Sequence, residues 1–257
     1  MKLIAEVGSN WKTYDDLYKS VEMAKEDGAD AVKFQYFTGE ELYGKSVPAL
    51  DKYAVPLTIL KQAKQVCKHY DIEFMCSAFS VQGYKDIDSL VDTHKIASSE
   101  STWPHVINTV LSMQKDTVIS VGGLSRSQIR KIVLRWDWYN HHNLTLLYCD
   151  PTYPSNKNQQ DIAEGIKSLM GYGVDVGLSD HSRLIYWPVE VLSYLHVYEK
   201  HYNPLDFSDT PDAPHSATRQ QFAALARHCE KTPTIYTYNP HQRRENLDWF
   251  RPYFPGE

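Results

Sequence analysis

Between residues 27 and 36 the chain reads Asp27-Gly28-Ala29-Asp30-Ala31-Val32-Lys33-Phe34-Gln35-Tyr36, which joins a helical pattern to a short apolar run. The helical pattern covers Tyr14–Asp27, and Asp27-Gly28 is a helix stop followed by a turn. The run Ala31–Tyr36 is rich in Val, Phe and Tyr, a composition typical of strands. A helix followed after one turn by a strand predicts an α/β fold with a parallel sheet.

The same alternation continues along the rest of the chain. Short apolar runs of strand-like composition recur at Leu3–Gly8, Ala31–Tyr36, Glu73–Ala78, Thr93–Ser98, Thr117–Gly122, Leu144–Asp150, Val174–His181 and Val197–Tyr202. Helical patterns lie between them at Tyr14–Asp27, Pro56–Tyr70, Ser125–Arg135, Asp161–Tyr172, Trp187–Leu195 and Ser216–Cys229. Successive strands begin about 20 to 40 residues apart, which is typical of βα units that close a parallel barrel.

We therefore predict a single-domain α/β protein, a (β/α)8 TIM barrel, over residues 1–230. Residues 231–257 contain Tyr, Trp and Pro and are predicted to form a tail that packs on the barrel. An open, doubly wound sheet is the main alternative, but no GxGxxG motif follows the first strand.

Composition excludes several classes of protein. The 257 residues are 42% hydrophobic and 23% charged, which are values of globular proteins. No apolar run reaches the roughly 18 to 20 residues of a membrane span, and the N-terminus is not a secretory signal. The net charge of −5 argues against a nucleic-acid surface. We expect a cytoplasmic protein without a membrane or nucleic-acid partner, whose well-separated cysteines (Cys67, Cys76, Cys149, Cys229) are buried free thiols.

Polar residues interrupt the predicted strands, mostly in their C-terminal halves. They are Glu6, Lys33, Gln35, Ser77, Lys95, Ser98, Ser120, Ser179, Asp180, His181, Glu199 and His201. Buried parallel strands are otherwise almost continuously apolar, and the C-terminal ends of barrel strands meet at one mouth. One buried Lys or Glu is more often half of a structural ion pair. The whole set predicts an active site, because isolated buried charges are too costly to keep without a partner or ligand.

Two parts of this site have a chemical interpretation. The ammonium groups of Lys33 and Lys95, with the hydroxyls of Ser77, Ser98, Ser120 and Ser179, suit a phosphate or a phosphate with a carboxylate. Ser120-Val121-Gly122-Gly123 precedes a helix and adds backbone N–H groups for the same purpose.

The second part is a pair of histidines. His181 ends one strand and His201 ends the next, so both rings can face one divalent cation, with Asp180 and Glu199 as neighbouring carboxylates. The alternative is that each histidine only caps its strand end. Two histidines with open coordination positions suit a metal that acts as a Lewis acid.

Several motifs, in order along the chain, resemble the sialic acid synthases, the phosphoenolpyruvate-dependent N-acetylneuraminate, legionaminate and pseudaminate synthases. The resemblance runs from residue 3 to about residue 225. It is carried by Ile4-Ala5-Glu6-Val7-Gly8-Ser9-Asn10, Gly28-Ala29-Asp30-Ala31-Val32-Lys33-Phe34-Gln35, Lys95-Ile96-Ala97-Ser98-Ser99-Glu100, Leu178-Ser179-Asp180-His181 and Glu199-Lys200-His201-Tyr202. Tyr153-Pro154, and Pro211-Asp212 with Ser216, fit the same pattern.

The resemblance implies a barrel that condenses phosphoenolpyruvate with an open-chain amino-sugar aldehyde and releases phosphate. It assigns phosphoenolpyruvate to Lys33, Ser77, Lys95, Ser98, Ser120 and Ser179. It assigns a metal, usually manganese or magnesium, to His181 and His201. It implies that the residues lining the acceptor and the reacting centre are Glu6, Gln35, Glu100, Tyr153, Glu199 and Asp212.

The sequence departs from the family pattern at three places in the site. Trp11 stands where the family has His, and is expected either to reshape the acceptor pocket or to pack. Pro151 replaces a polar residue after Cys149. The family's Asp-His pair is Asp212-Ala213 here, with His215 displaced.

Family members also carry a C-terminal antifreeze-like domain, which contributes an Arg to the partner's acceptor site in a swapped dimer. The chain is expected to hold the barrel without that domain. Arg243, Arg244 and Arg251 are candidates to replace the Arg, and a homodimer is consistent with the resemblance.

Two other functions stay open at this point. One is a phosphoenolpyruvate-dependent synthase for another aldose, such as a pentose or heptose phosphate. The other is a barrel that has lost turnover and serves as a binding or scaffold protein. Trp11 and Pro151 motivate the second alternative, whereas the retention of Glu6, both lysines and both histidines opposes it.

Overall fold

The computed structural model describes residues 1–139, 143–183 and 189–235. Eight parallel strands pair in chain order, and the first pairs with the last, so the sheet closes into a barrel. The strands are β1 Lys2–Glu6, β2 Ala31–Tyr36, β3 Glu73–Ala78, β4 Thr93–Ile96, β5 Asp116–Ser120, β6 Leu144–Tyr148, β7 Asp175–Asp180 and β8 Val197–His201. The predicted (β/α)8 barrel is confirmed, and the open sheet is excluded.

Helices connect the strands around the outside of the barrel. They are α1 Tyr14–Glu26, α2 Gly39–Tyr43, α3 Pro48–Asp51, α4 Leu57–His69, α5 Val81–Ile87, α6 Pro104–Ser112, α7 Arg126–Tyr139, α8 Gln159–Met170, α9 Val189–Leu192 and α10 Arg219–Glu230. Capping boxes at Thr13, Asn158 and Thr218 fix the starts of α1, α8 and α10. Within the described ranges, no helix combines the length and the apolar composition that a membrane span requires.

The predicted strands agree with the observed ones to within about two residues. Two of them, Ala31–Tyr36 and Glu73–Ala78, have the predicted bounds. The other apolar runs extend past the strand ends into the loops at the mouth. The sequence pattern predicts none of the helices α2, α3, α5 and α6, because segments of four to nine residues show little periodicity.

Six apolar side chains fill the inside of the barrel at one level and form what we call the barrel floor. They are Ile4, Ala31, Met75, Val118, Leu147 and Val197, each at most 5% exposed. Side chains alternate between the two faces of a strand, so the next inward position lies two residues further along. Those positions hold Glu6, Lys33, Ser77, Ser120, Cys149 and Glu199. The alternation therefore places the polar groups directly above the floor, toward the C-terminal mouth.

Two smaller predictions concern the cysteines and the tail. All four cysteines are free and buried, as predicted. The start of the tail contacts the barrel, because Ile235 N donates to Ser193 O over 2.7 Å and Thr234 Oγ1 donates to Leu195 O over 3.0 Å. Residues 236–257 lie outside the described part of the chain, so the packing of the whole tail stays a prediction.

Gly177 of β7 provides a test of how tightly the floor is packed. A Cβ atom at this position would lie 2.3 Å from Val197 O and 2.5 Å from Leu147 Cδ2. We expect Gly177→Ala to lower the free energy of unfolding by about 1 to 3 kcal/mol, because one strand must shift.

Gly171→Ala is the matched control, since its Cβ would meet nothing closer than 3.5 Å. Its effect should stay within about 1 kcal/mol. Urea unfolding followed by circular dichroism measures both variants, and equal stabilities would contradict the close packing of the floor.

Candidate active site

The carboxylate of Glu199 lies between two lysine side chains just above the barrel floor. Glu199 Oε2 is 3.6 Å from Lys33 Nζ, and Glu199 Oε1 is 3.4 Å from Lys95 Nζ. Their side chains are 6%, 4% and 2% exposed, respectively. Charges this far from water are stable only when they are paired. Strands β2, β4 and β8 thus bring together three charges that are between 62 and 166 residues apart in the sequence.

Glu6 and Gln35 extend this network toward β1. Glu6 Oε2 forms an ion pair with Lys33 Nζ, and Gln35 Nε2 donates to Glu6 Oε1 over 3.1 Å. The strand register places Glu6 opposite Lys33. Lys33 therefore has a carboxylate on either side, and Gln35 fixes the orientation of one of them.

Two of the predicted serines accept hydrogen bonds from the lysines. Ser77 Oγ accepts from Lys33 Nζ over 3.3 Å, and Ser120 Oγ accepts from Lys95 Nζ over 2.9 Å. All four side chains are buried. The ammonium groups are thus held by hydroxyl groups that are themselves hydrogen-bond donors to an arriving anion.

The charge states in this network follow from burial and pairing. Burial lowers the pKa of Lys33 to about 8, although Glu199 opposes the shift. Burial also opposes the ionisation of Glu199, but the ammonium groups of Lys33 and Lys95 outweigh it and lower its pKa to about 2. At neutral pH Glu199 is ionised, and Lys33 is mostly protonated but close to its titration range.

His181 follows the end of β7, and its ring is held through Nδ1. His181 Nδ1 is 2.7 Å from Asp150 O, and because a carbonyl can only accept, this nitrogen carries the proton. The other nitrogen, Nε2, therefore carries a lone pair. It lies 3.2 Å from Ser179 Oγ, whose proton is given to Glu199 Oε1 over 2.9 Å. Burial lowers the pKa of His181 to about 4, so the ring is neutral. A histidine whose Nδ1–H is held by a carbonyl has the second-sphere contact that is common for metal ligands.

A second cluster combines His201 with Asp212 and His215. Asp212 Oδ2 is 3.7 Å from His201 Nδ1, and Asp212 Oδ1 is 3.5 Å from His215 Nε2. The backbone N–H of Ser9 donates to Asp212 Oδ2 over 2.8 Å and holds the carboxylate in place. One ligand atom from each of the three side chains lies within 4.8 Å of the others.

The chemistry of this cluster fits a divalent cation. The nitrogens His201 Nδ1 and His215 Nε2 are buried and have no hydrogen-bond partner. Burial lowers the pKa of His201, so the imidazole is neutral. Burial alone would raise the pKa of Asp212, but His201, His215 and the Ser9 amide outweigh it and lower the pKa of this carboxyl. Neutral imidazole beside an ionised carboxylate is the donor set that a divalent metal requires.

His215 is the residue that the sequence interpretation set aside. The 3₁₀ turn Ala213–His215 carries its ring back over Asp212, three residues earlier. The spacing Asp212-Ala213-Pro214-His215 is the only trace of this contact in the sequence. A 3₁₀ turn has three residues per turn, so positions i and i+3 share one face.

Three further predicted site residues, Glu100, Tyr153 and Ser98, follow the ends of strands β4 and β6. Burial raises the pKa of Glu100, whose Oε2 accepts from Ser99 Oγ over 2.6 Å. The ring of Tyr153 stacks on His181 with 4.1 Å between centroids, and 54% of Tyr153 is exposed. Ser98 is half-buried after the end of β4 and faces the thiol of Cys149.

Trp11 packs instead of lining the open mouth. Its side chain is 3% exposed, its indole N–H donates to Gly8 O over 3.1 Å, and its ring meets the Tyr53 ring edge-on. Of the two roles expected for Trp11, the structure shows packing. Pro151 is exposed in the β6 loop, beside Asp150, which accepts from Thr152 Oγ1 over 2.7 Å.

Some predictions lie outside the described residues. Arg243, Arg244 and Arg251 belong to residues 236–257. The helix predicted at Trp187–Leu195 begins among residues 184–188, and only α9 represents it in the described chain.

Comparisons with known proteins agree with the sequence motifs. A sequence model of the NeuB family matches residues 20–239. The pseudaminic acid synthase of Helicobacter pylori is 26% identical over 244 residues, covering 87% of this chain and 72% of that protein. The N,N'-diacetyllegionaminic acid synthase of Campylobacter jejuni is 26% identical over 246 residues, covering 87% of this chain and 73% of that protein.

Solved structures show the same fold. The N-acetylneuraminic acid synthetase of Leptospira borgpetersenii superimposes with a TM-score of 0.82 at 24% identity, over 97% of this chain and 90% of that one. A truncated 3-deoxy-D-arabino-heptulosonate 7-phosphate synthase of Thermotoga maritima gives a TM-score of 0.69 at 10% identity, over 90% and 86%. These identities are low, so the likeness concerns the fold.

The network around Glu199 predicts a large effect of one isosteric substitution. We expect Glu199→Gln to lower the free energy of unfolding at pH 7 by about 3 to 5 kcal/mol, because it removes the carboxylate from two buried ammonium groups.

Glu73→Gln is the matched control. Glu73 forms a 2.6 Å ion pair with Lys2 near the other end of the barrel, where the two side chains are 21% and 34% exposed. Its loss should cost less than about 1 kcal/mol. Equal decreases in the free energy of unfolding, measured with urea, would mean that the central network contributes no more to stability than a surface ion pair.

Proposed function

The chain belongs to the NeuB family, and on that basis we propose that it condenses phosphoenolpyruvate with the open-chain aldehyde of an amino sugar such as N-acetylmannosamine. The products would be a nonulosonic acid and inorganic phosphate, so the protein would be a transferase that forms a C–C bond. The observation that carries the proposal is the buried Lys33–Glu199–Lys95 network at the barrel mouth. The names of the synthases described above support the class of product.

Phosphoenolpyruvate would bind above the two lysines. Its phosphate and carboxylate need fixed positive charge and directional donors, which Lys33 and Lys95 supply with Ser77, Ser120 and Ser179. Ser98 would contribute a further hydroxyl from the rim. These side chains are already held by hydrogen bonds and ion pairs to one another before a ligand binds. The entropy cost of ordering them on binding is therefore small.

The acceptor would enter from the side of the histidines. Tyr153, stacked on His181, is an exposed ring at that entrance, and Asp212 Oδ2 lies 3.7 Å from His201 Nδ1. A divalent cation, manganese or magnesium, held there by His181 and His201 beside Asp212 would polarise the aldehyde oxygen and offset the negative charge of phosphoenolpyruvate.

The carboxyl groups would then stabilise charge and transfer protons during the reaction. The C3 carbon of phosphoenolpyruvate attacks the aldehyde carbon, and positive charge develops at C2, where Glu6 can stabilise it. Water adds to C2 as Glu6 or Glu199 takes its proton, and the C2–O bond to phosphate breaks. Glu100, whose pKa is raised by burial, is suited to return a proton to the former aldehyde oxygen. Gln35 positions Glu6 throughout.

Phosphate release tests this proposal directly. Purified protein is incubated with phosphoenolpyruvate, manganese and a panel of N-acetylhexosamines and phosphorylated aldoses, with a chelator control. We expect release only when phosphoenolpyruvate, metal and an N-acetylhexosamine are all present. Release with a pentose or heptose phosphate alone would indicate another aldose as acceptor. Binding of phosphoenolpyruvate without release would favour a binding protein.

The pKa of Lys33 predicts how binding depends on pH. Between pH 7.5 and 8.5 the protonated fraction of a group with a pKa of about 8 falls about threefold. The phosphate of the ligand is dianionic over this range. We therefore expect the Kd of phosphoenolpyruvate to rise about threefold, measured by calorimetry.

The control for this experiment is Lys33→Met, which should bind more weakly and lose the pH dependence in that range. A flat profile in the unmodified protein would show that Lys33 does not contact the ligand as an ammonium group.

A further inference from the structure

His215 lies beside His201 of strand β8 and Asp212, and together the three side chains offer three ligand atoms for one metal ion. His201 and His215 are 7% and 4% exposed, and their rings cross at 78° with 4.5 Å between centroids. Their nitrogens Nδ1 and Nε2 are buried without a hydrogen-bond partner. A buried polar atom without a partner costs free energy, so two such atoms aimed at one carboxylate call for an explanation.

The distances in this cluster are too long for hydrogen bonds and suit a bound ion. Asp212 lies 3.7 Å from His201 Nδ1 and 3.5 Å from His215 Nε2 through its two oxygens. Metal–ligand bonds of about 2.1 Å place neighbouring ligand atoms about 3 Å apart and opposite ones about 4.2 Å apart. The three ligand atoms all lie within 4.8 Å of one another, which leaves room for one cation between them.

Hydrogen bonds on both sides fix the carboxylate of Asp212 and the turn that carries His215. Asp212 N donates to Ser9 Oγ over 3.0 Å, and Ser9 N donates back to Asp212 Oδ2 over 2.8 Å. Ser216 Oγ donates to Asp212 O over 2.6 Å just after the turn. The loop is therefore tied to the β1 loop before any ion binds, which favours binding because the ligands are already ordered.

We propose that His215 is a further protein ligand of the divalent cation, so that Asp212 and His215 complete the site that His201 begins on the β8 side of the barrel mouth. Ala213 stands at the position next to Asp212, and His215 reaches the carboxylate through the 3₁₀ turn. This inference deepens the proposed function, but it concerns the binding of the ion alone, in the absence of either substrate.

Binding of Mn²⁺ without substrates tests the proposal. The electron paramagnetic resonance signal of free Mn²⁺ gives the Kd for the full chain and for His215→Ala, His215→Gln and His105→Ala. His105 is an exposed histidine of α6 and serves as the matched control. We expect one ion per chain, a Kd raised at least about tenfold in both His215 variants, and no change in His105→Ala.

Two further readouts keep the result independent of activity and of folding. The midpoint of thermal unfolding without metal shows whether each variant is folded, and the rise of that midpoint with Mn²⁺ should be smaller in His215→Gln than in the unmodified protein. Pulsed electron paramagnetic resonance should also show one fewer coupled imidazole nitrogen in that variant.

Equal Kd values and equal nitrogen couplings in folded His215→Gln and unmodified protein would overturn the proposal. Mn²⁺ binding through His215 in a protein that releases no phosphate would leave the proposal intact and refute the proposed condensation. The two failures are therefore distinguishable.

Discussion

The carboxylate of Glu199, held between the ammonium groups of Lys33 and Lys95 inside the barrel, is the interaction on which the other features depend. Each of these charges would be costly to bury alone, and each comes from a different strand. They are stable only when β2, β4 and β8 have closed in the observed register. The same arrangement of charges that could bind an anionic substrate also offsets the cost of burying those charges inside the closed barrel.

The two-residue period of the strands connects this network to the core. An apolar floor that includes Ile4, Ala31 and Val197 seals the barrel, and the next inward residues are Glu6, Lys33 and Glu199. The lysines and carboxylates lie over the floor, and the histidines follow one layer further toward the mouth. The groups proposed to bind an anion and those proposed to bind a cation therefore lie in neighbouring layers, so both ligands would meet at the barrel mouth.

Features that depend on local sequence could be predicted, and features that depend on how loops meet could not. Strand positions and the inward direction of Lys33 and Lys95 follow from periodicity and burial, and the structure places both lysines beside Glu199. The meeting of His215 with His201 depends on a 3₁₀ turn whose position is set by contacts with Ser9. Trp11 was ambiguous because its packing partner, Tyr53, is 42 residues away. A homodimer stays a prediction.

The fate of the bridging oxygen of phosphoenolpyruvate tests the central claim most directly. If C3 attacks the aldehyde and water then adds to C2, the C2–O bond breaks and the bridging oxygen leaves with phosphate. Phosphoenolpyruvate labelled with ¹⁸O at that position, turned over with an N-acetylhexosamine and manganese, should give labelled phosphate in the ³¹P resonance spectrum. Unlabelled phosphate, with the label retained in the organic product, would mean cleavage of the P–O bond and would contradict the proposed condensation.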